Sequence, residues 1–475
     1  MTTAQQLVHA YEAGPGLAPS TWADLADPGA RLAATLPVWP LAGGSVAAVQ
    51  LAVNRFRAAS GLAPRPVVLD PTRVSATFAS ERLFRHRGAV PSIFNPLSGF
   101  FRTADGWVRT HANYPHHRQR LAAALGLADD VDAEQVGARL AALPGAECEV
   151  LALDAGAIAV RVRAEGEWSD SPMGRAAAAG PLVALDRRAA DRPTAESIDQ
   201  VSTRTTGRPP SPTGRAQPTP GRVPPRSGAL SRHAPTVDRP LRGIRVLDLT
   251  RVLAGPVATR TLALLGADVL RIDPPRLSEI DWQFRDTCQG KRSTLLDLRT
   301  NLTLFEQLLS EADVLVTGYR PGALATVGVR TRPGLIHASV SAWGVAGPWG
   351  DRRGFDSIVQ AATGISLIEG SMDRPGALPA QALDHASGYL LAAGTIDALR
   401  ARADDGHGRD VRVSLARTAS WLLAGDRTPD HPAAEPPDPA VAVTHGAVTT
   451  AAPAFAEYAD YRWPAPEYGG HDPRW

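Results

Sequence analysis

Short apolar runs rich in Val, Ile and Leu alternate with stretches of helical period through much of the second half of the chain. IRVLDLT is followed by PVATRTLALLG, then ADVLRID, STLLDL, NLTLFEQLLSEA, DVLVTG and GLIHASVSAW. Such alternation predicts βαβ units and a parallel sheet covered by helices on both faces. Further on, FDSIVQAATGISLI and HASGYLLAAGTIDALRARA carry helical periodicity with small residues that permit close packing, and RDVRVSLA reads as a last strand. The fold class is α/β in this half.

The first half is weaker in pattern. GFFRTADGWVRTHANY alternates as a strand pair around the turn dipeptide Asp105-Gly106, and HHRQRLAAALG reads as a short helix, together predicting a smaller α+β domain over residues 90–190. Upstream, Gly44 to Phe78 lies without gaps on Gly388 to Leu422, with Arg73 falling on Arg417. Both segments read helix, glycine-containing turn, strand, small-residue helix, as a fragment of an internal repeat within residues 1–89. From Arg204 to Pro240 there are nine prolines and seven arginines against one acidic residue. Residues 191–240 are therefore expected to form an extended linker, since such a composition cannot offset its chain entropy by burial. The large domain is expected over 241–425. Residues 426–475, which open on DRTPDHPAAEPPDPAV, read as an extended Pro-rich tail.

The 475 residues exceed a single small module. A net charge of +2 with 21% charged residues is ordinary globular composition, and the linker arginines lack interleaved aromatics, so no nucleic-acid partner is expected. Cys148 and Cys288 form no CxxC pair or even framework. With no signal peptide and no long apolar stretch, a cytoplasmic setting without a membrane is expected. Among fifty basic residues, Lys291 is the one lysine.

The loop RVLAGP, between a strand and a helix, is where a phosphate would meet free N–H groups, yet the G-x-G-x-x-G fingerprint is absent. His111, His116 and His117 in THANYPHH have no carboxylate or cysteine at a metal-binding interval and read as surface or core histidines. G-x-S-x-G and Walker loops are missing too. Asp384 in QALDHASGYLLAAG stands at a helix start, where it is either an N-cap or a carboxylate set beside helix dipoles able to stabilise an oxyanion.

The ordered series PLRGIRVLDLTRVLAGPVATRTLALLGADVLRID, GKRSTLLDL, ADVLVTGYRPGALATVGV, LIHASVSAWGVAGPW, RRGFDSIVQAATG, QALDHASGYLLAAG and GRDVRVSL resembles the class III CoA-transferase family (CaiB/BaiF) over residues 240–425. GFFRTADGWVRTHANYPHHRQRLAAALG looks like the start of that family's small domain, and Gly44 to Phe78 like the end of its large domain. The chain thus resembles a doubled member with parts of each copy missing. The resemblance implies a Rossmann-like large domain and transfer of CoA between an acyl-CoA and a carboxylic acid. Asp384 falls on the family's nucleophilic aspartate, ionised at neutral pH, with Ala386 and Gly388 leaving room for backbone approach. By the same resemblance Val252, Ala254, Leu296, Arg299, Tyr319, Ala323 and Arg353 are expected to hold CoA, which is a substrate and not a resident cofactor; no metal is implied. Lys291 sits in the GKRS segment that carries part of the likeness. Partners implied are acyl-CoA and acid substrates, and either an interlocked homodimer or a pseudo-dimer completed within one chain.

Departures matter as well. Leu253 and Pro274 stand where the family often has glutamine and arginine, and no glycine-rich loop precedes GFFRTADG. Gly354-Phe355-Asp356 lacks the histidine of the family's racemases, which disfavours α-carbon racemisation. A CoA-binding pseudoenzyme and an isomerase-like variant are the alternatives.

Overall fold

The computed structural model describes residues 1–23, 26–188, 234–319 and 323–475. In chain order the elements used below are α1 (Val38–Ala59), α2 (Pro71–Phe78), β1 (Phe100–Thr103), β2 (Gly106–Thr110), α3 (Pro115–Ala124), β3 (Ala159–Arg161), β4 (Ala184–Arg187), β5 (Arg245–Leu249), α4 (Ala254–Leu264), β6 (Asp268–Asp273), β7 (Arg292–Leu295), α5 (Leu302–Glu311), β8 (Val314–Thr317), β9 (Ile336–Ser341), α6 (Asp356–Thr363), α7 (Ala382–Asp405), β10 (Arg409–Ser414), α8 (Leu415–Leu423), β11 (Ala442–His445) and β12 (Val448–Ala451).

A seven-stranded sheet runs in the order β4-β10-β9-β8-β5-β6-β7. Its six later strands are parallel, and β4 adds to the edge antiparallel, with Leu185 opposite Val411. The alternation of side chains along each strand loads both faces. Val246, Val269, Val314 and Ile336 enter one core with α4 and α7, while Leu247, Leu270 and Leu315 enter another with Phe305, Leu308 and Leu309 of α5. Burial on both faces is what a parallel sheet requires, and it is why these strands read as near-continuous apolar runs. The strand order reverses between β5 and β8, which opens a crevice beyond their carboxyl ends.

In the first half, β1, β2 and β3 form a small antiparallel sheet over a separate core of Leu97, Val108, Leu121, Val136 and Leu140. Strand β4 differs from the sequence expectation: it falls within 90–190 yet belongs to the large sheet.

The repeat has a structural counterpart. The offset that lays Gly44 on Gly388 places α1 on α7 and α2 on α8, whereas residues 65–70, opposite β10, pair with no strand. Helix α1 packs along α7, and Arg55 of α1 grips Asp397 of α7 through Nε (2.9 Å) and Nη2 (2.7 Å). In this alignment Pro40 stands where α7 carries Asp384.

Most of the Pro/Arg-rich linker, residues 189–233, lies outside the described residues. Residues 426–475 are not simply extended. Strands β11 and β12 form a hairpin on Arg85–His86, Phe455 and Tyr461 are buried, and the Trp475 indole donates to the Leu308 carbonyl at 2.9 Å. Proline content misread this segment because prolines flank the hairpin and leave its ladder intact. Among the described residues no helix is long and apolar enough to cross a membrane, and no three His, Cys, Asp or Glu side chains are grouped to hold a metal ion.

Candidate active site

A cavity of about 290 Å³ occupies the crevice where the strand order reverses. The large sheet supplies Leu249, Arg251, Val252, Ala254, Gly318 and Tyr319, α7 supplies Asp384, and the first half of the chain supplies Tyr114, His116 and His117 at the start of α3. Of the residues expected at the site, Val252, Ala254, Tyr319, Arg353 and Asp384 line this one cavity. Leu296 is instead buried in the core under α5, Arg299 is exposed on the turn after β7, and Ala323 opens a short helix, all three outside the cavity lining.

Asp384 is not an N-cap. Helix α7 begins at Ala382, its cap position is Gln381, and Asp384 sits in the first helical turn. Ser387, one turn further along α7, is engaged with Thr418 at 2.8 Å. Gly388 lies one turn on; a Cβ there would come within 2.5 Å of the Ala254 carbonyl, so glycine lets α7 press against the start of α4. At the other end of the same loop, a Cβ on Gly255 would meet Thr250 at 2.3 Å.

The carboxyl group is not freely ionised as the sequence suggested. Burial, and then the Asp356 carboxylate, push Asp384 well above the usual carboxylate range. Asp356, at the start of α6, is itself pushed up to about 6 by burial. It is held in place by the Asp384 backbone N–H, which donates to Oδ2 at 2.9 Å, and by the Gln360 amide. Gln360 in turn accepts from the Leu378 N–H at 2.9 Å, so the two helix starts are locked through one carboxylate.

This pair has a measurable signature. Unfolded aspartates titrate near ~3.9, so above that pH the folded protein keeps a proton that the unfolded chain has lost, and stability declines as pH rises through the raised values. Asp384→Asn removes the titration but keeps the backbone donor. Its unfolding midpoint is expected to exceed wild type by a few degrees at pH 8 and to converge with it at about pH 4, as read by scanning calorimetry. Equal pH slopes in the two proteins would contradict the pairing.

His116 and His117 line the cavity, and His111 and His385 neighbour its lining residues Phe355 and Asp384. His111 stacks on Phe355 with centroids 3.7 Å apart, and His117 meets that ring edge-on. Burial pushes His111 down to about 3 and His117 to about 2, so both are neutral. His385, beside Asp384, is buried against Phe78 and pushed down to about 3 by burial. Position 355 thus carries a phenyl ring in place of an imidazole, and the rings of His111 and His117 from THANYPHH pack against it. The sequence favoured surface or core positions for these histidines over metal ligation, and His111 and His117 are buried; what it did not reveal was the nearness of the α3 start to a strand end more than a hundred residues later.

Lys291 lies beneath the loop. Its ammonium is buried and donates to Asp248 Oδ2 (3.0 Å), the Pro256 carbonyl (3.0 Å) and Thr259 Oγ1 (2.6 Å), joining β5 to the first turn of α4. Burial by itself raises Asp248, but Lys291 and Arg271 outweigh it and hold the carboxyl below its ordinary value.

Residues 241–456 match the model of CoA-transferase family III. An acetyl-coenzyme A transferase of Hypoxylon pulicicidum is 33% identical over 207 residues, 40% of this chain and 35% of that protein. The alpha subunit of succinyl-CoA–L-malate CoA-transferase of Chloroflexus aurantiacus is 31% identical over 263 residues, 50% of this chain and 57% of that protein. A crystal structure of a CaiB/BaiF family protein from Brucella suis is 30% identical, covers 39% of this chain and 56% of that one, and has a TM-score of 0.36. The chain therefore spans about a third to under two thirds of the length of these relatives.

Proposed function

We propose that the protein moves CoA between an acyl-CoA thioester and a carboxylic acid, with Asp384 as the covalent nucleophile. The observation that carries this reading is the Asp384 carboxyl lining a cavity at the strand-order reversal, beside the α4 start. There the first N–H groups of a helix have no partner within it and suit anionic groups. The strand order is that of doubly wound nucleotide-binding sheets, which supports a Rossmann-like large domain whose loop Arg251–Ala254 receives CoA. Arg353 suits its phosphates, and the half-buried Tyr319 ring a stacked base.

In the reaction, an Asp384 oxygen attacks the thioester carbonyl carbon and the C–S bond breaks, giving a mixed anhydride and CoA thiolate. The thiolate attacks the Asp384 carbonyl carbon, the first acid leaves as its carboxylate, and an enzyme thioester remains. An incoming carboxylate attacks that thioester and expels CoA thiolate. The thiolate then takes the new acyl group from the anhydride and restores Asp384. No net proton is exchanged, but Asp384 must first lose the proton that burial and Asp356 retain on it. The water-poor walls of Trp343, Phe355 and Leu415 protect both intermediates from hydrolysis.

Trapping tests the reading. After incubation with an acyl-CoA, hydroxylamine is expected to convert Asp384 to its hydroxamate, found by peptide mass mapping, with a yield per unit time that climbs from pH 6 to pH 8. No adduct across a broad acyl-CoA panel, with CoA still bound, identifies a binding protein without transfer. The cavity takes walls from both halves of one chain, which supports a pseudo-dimer; native mass measurement reads this directly.

A further inference from the structure

The loop that joins β5 to α4 carries a backbone conformation that its sequence does not favour. Val252 has φ +71°, the left-handed region, where a β-branched residue is an outlier that costs about 1–3 kcal/mol unless its surroundings impose it. Its N–H donates to Glu279 Oε2 at 2.9 Å. Glu279 follows β6 and is buried; the same oxygen accepts from Arg271 Nη2 at 3.0 Å, and Arg251 Nε lies 3.7 Å away. The other oxygen accepts from the Ile280 N–H at 3.0 Å and from the Tyr114 hydroxyl. Tyr114 precedes α3, its ring lies under the Arg251 guanidinium at 4.9 Å, and the next residues, His116 and His117, form the opposite wall of the cavity.

One carboxylate is therefore fastened to both walls. A carboxylate offers about four acceptor sites, and here each oxygen serves two donors. We propose that Glu279 is a positioning residue that holds Val252 in its left-handed conformation and ties the α3 wall to that loop, so that the two sides of the cavity are set together. For its functional readout the inference rests on the CoA-transfer reading; its structural readout does not. The two arms differ chemically. Glu279→Gln leaves one oxygen to serve donors that now use two and puts an NH₂ against N–H donors, so both arms loosen. Tyr114→Phe cuts the α3 arm alone. Val252→Gly abolishes the need for restraint, because glycine adopts positive φ without penalty.

The test uses the full chain, with amide hydrogen exchange followed by mass spectrometry on peptides covering residues 114–118 and 250–255, and calorimetric titration with CoA itself. Glu279→Gln is expected to speed exchange in both segments and to weaken CoA binding by about tenfold, the scale of one lost charge-assisted hydrogen bond. Tyr114→Phe speeds exchange in 114–118 alone. In the Glu279→Gln/Val252→Gly double variant, CoA affinity returns to within about threefold of Val252→Gly alone, a rescue that general destabilisation by the glutamine would not produce. Unchanged exchange in Glu279→Gln, or a double variant as weak as the sum of the singles, overturns the proposal. Should Glu279→Gln fail to fold, Tyr114→Phe decides, since unaltered exchange in 114–118 removes the tie. Should the wild type bind no CoA, the transfer reading falls, and the exchange pattern alone settles the role of Glu279.

Discussion

Replacing Asp384 by alanine is expected to lower the exchange of labelled CoA between two acids by roughly 10³-fold or more, while CoA affinity stays within about threefold of wild type. The first effect follows from the proposed chemistry, in which every step passes through a bond to this carboxyl; among the described residues no other carboxylate lines the cavity. The second follows from the proposed placement of CoA on the β5–α4 loop, Tyr319 and Arg353, which line the cavity on elements other than α7. The Asp384 backbone N–H, not its side chain, anchors Asp356, so the helix start survives the change. Filter-based exchange with labelled CoA, paired with calorimetric binding, separates the outcomes. Retained exchange removes Asp384 from the reaction, whereas joint loss of exchange and binding assigns it to the binding surface.

Lys291→Met is expected to lower the unfolding midpoint by roughly 10 °C, because removing one partner of a buried ion pair costs about 3–5 kcal/mol. The vacated space leaves Asp248 fully buried with only Thr250 and Thr259 to solvate it. Lys291→Met/Asp248→Asn should regain at least half of the loss, since the orphaned charge goes with it. Lys291→Arg is expected to fail as well. Three acceptors surround one compact ammonium within 3.0 Å, a shape that a planar guanidinium does not match. In a chain that otherwise uses arginine for every basic residue, this is a physical account of the one lysine. Scanning calorimetry of the three variants checks it, and a Lys291→Arg midpoint equal to wild type would refute the fit.

The large sheet was legible because its central strands β5, β6 and β8 are buried on both faces and so announce themselves as apolar runs, as Val246 and Leu247 do by entering opposite cores, whereas the exposed edge strand β4 carried no such signal. The repeat was legible as a gapless alignment of Gly44–Phe78 on Gly388–Leu422, and its helices recur in the structure, though residues 65–70 join no sheet. Asp384 was singled out through resemblance, and the structure places it on the cavity lining. Its environment was not legible: nothing local says that Asp356, 28 positions earlier, hydrogen-bonds its backbone, and that contact together with burial governs its protonation. Tyr114 and Glu279 are 165 positions apart, and neither carries a pattern of its own. The tail misled for the opposite reason, since its composition predicted solvent while its few apolar side chains, Phe455, Tyr461 and Trp475, dock into grooves that other elements build.

The pairing of α1 with α7 carries one more consequence. Two matched helices lie side by side, and only one begins with a carboxylate; its counterpart begins with Pro40, which has no nucleophile and no N–H. An assembly of two identical chains doubles both helices and both nucleophiles. This chain doubles the helix alone, so if Asp384 is the nucleophile and one polypeptide forms the proposed pseudo-dimer, an active-site titration is expected to plateau at one covalent equivalent per polypeptide, and a plateau at one half would contradict it.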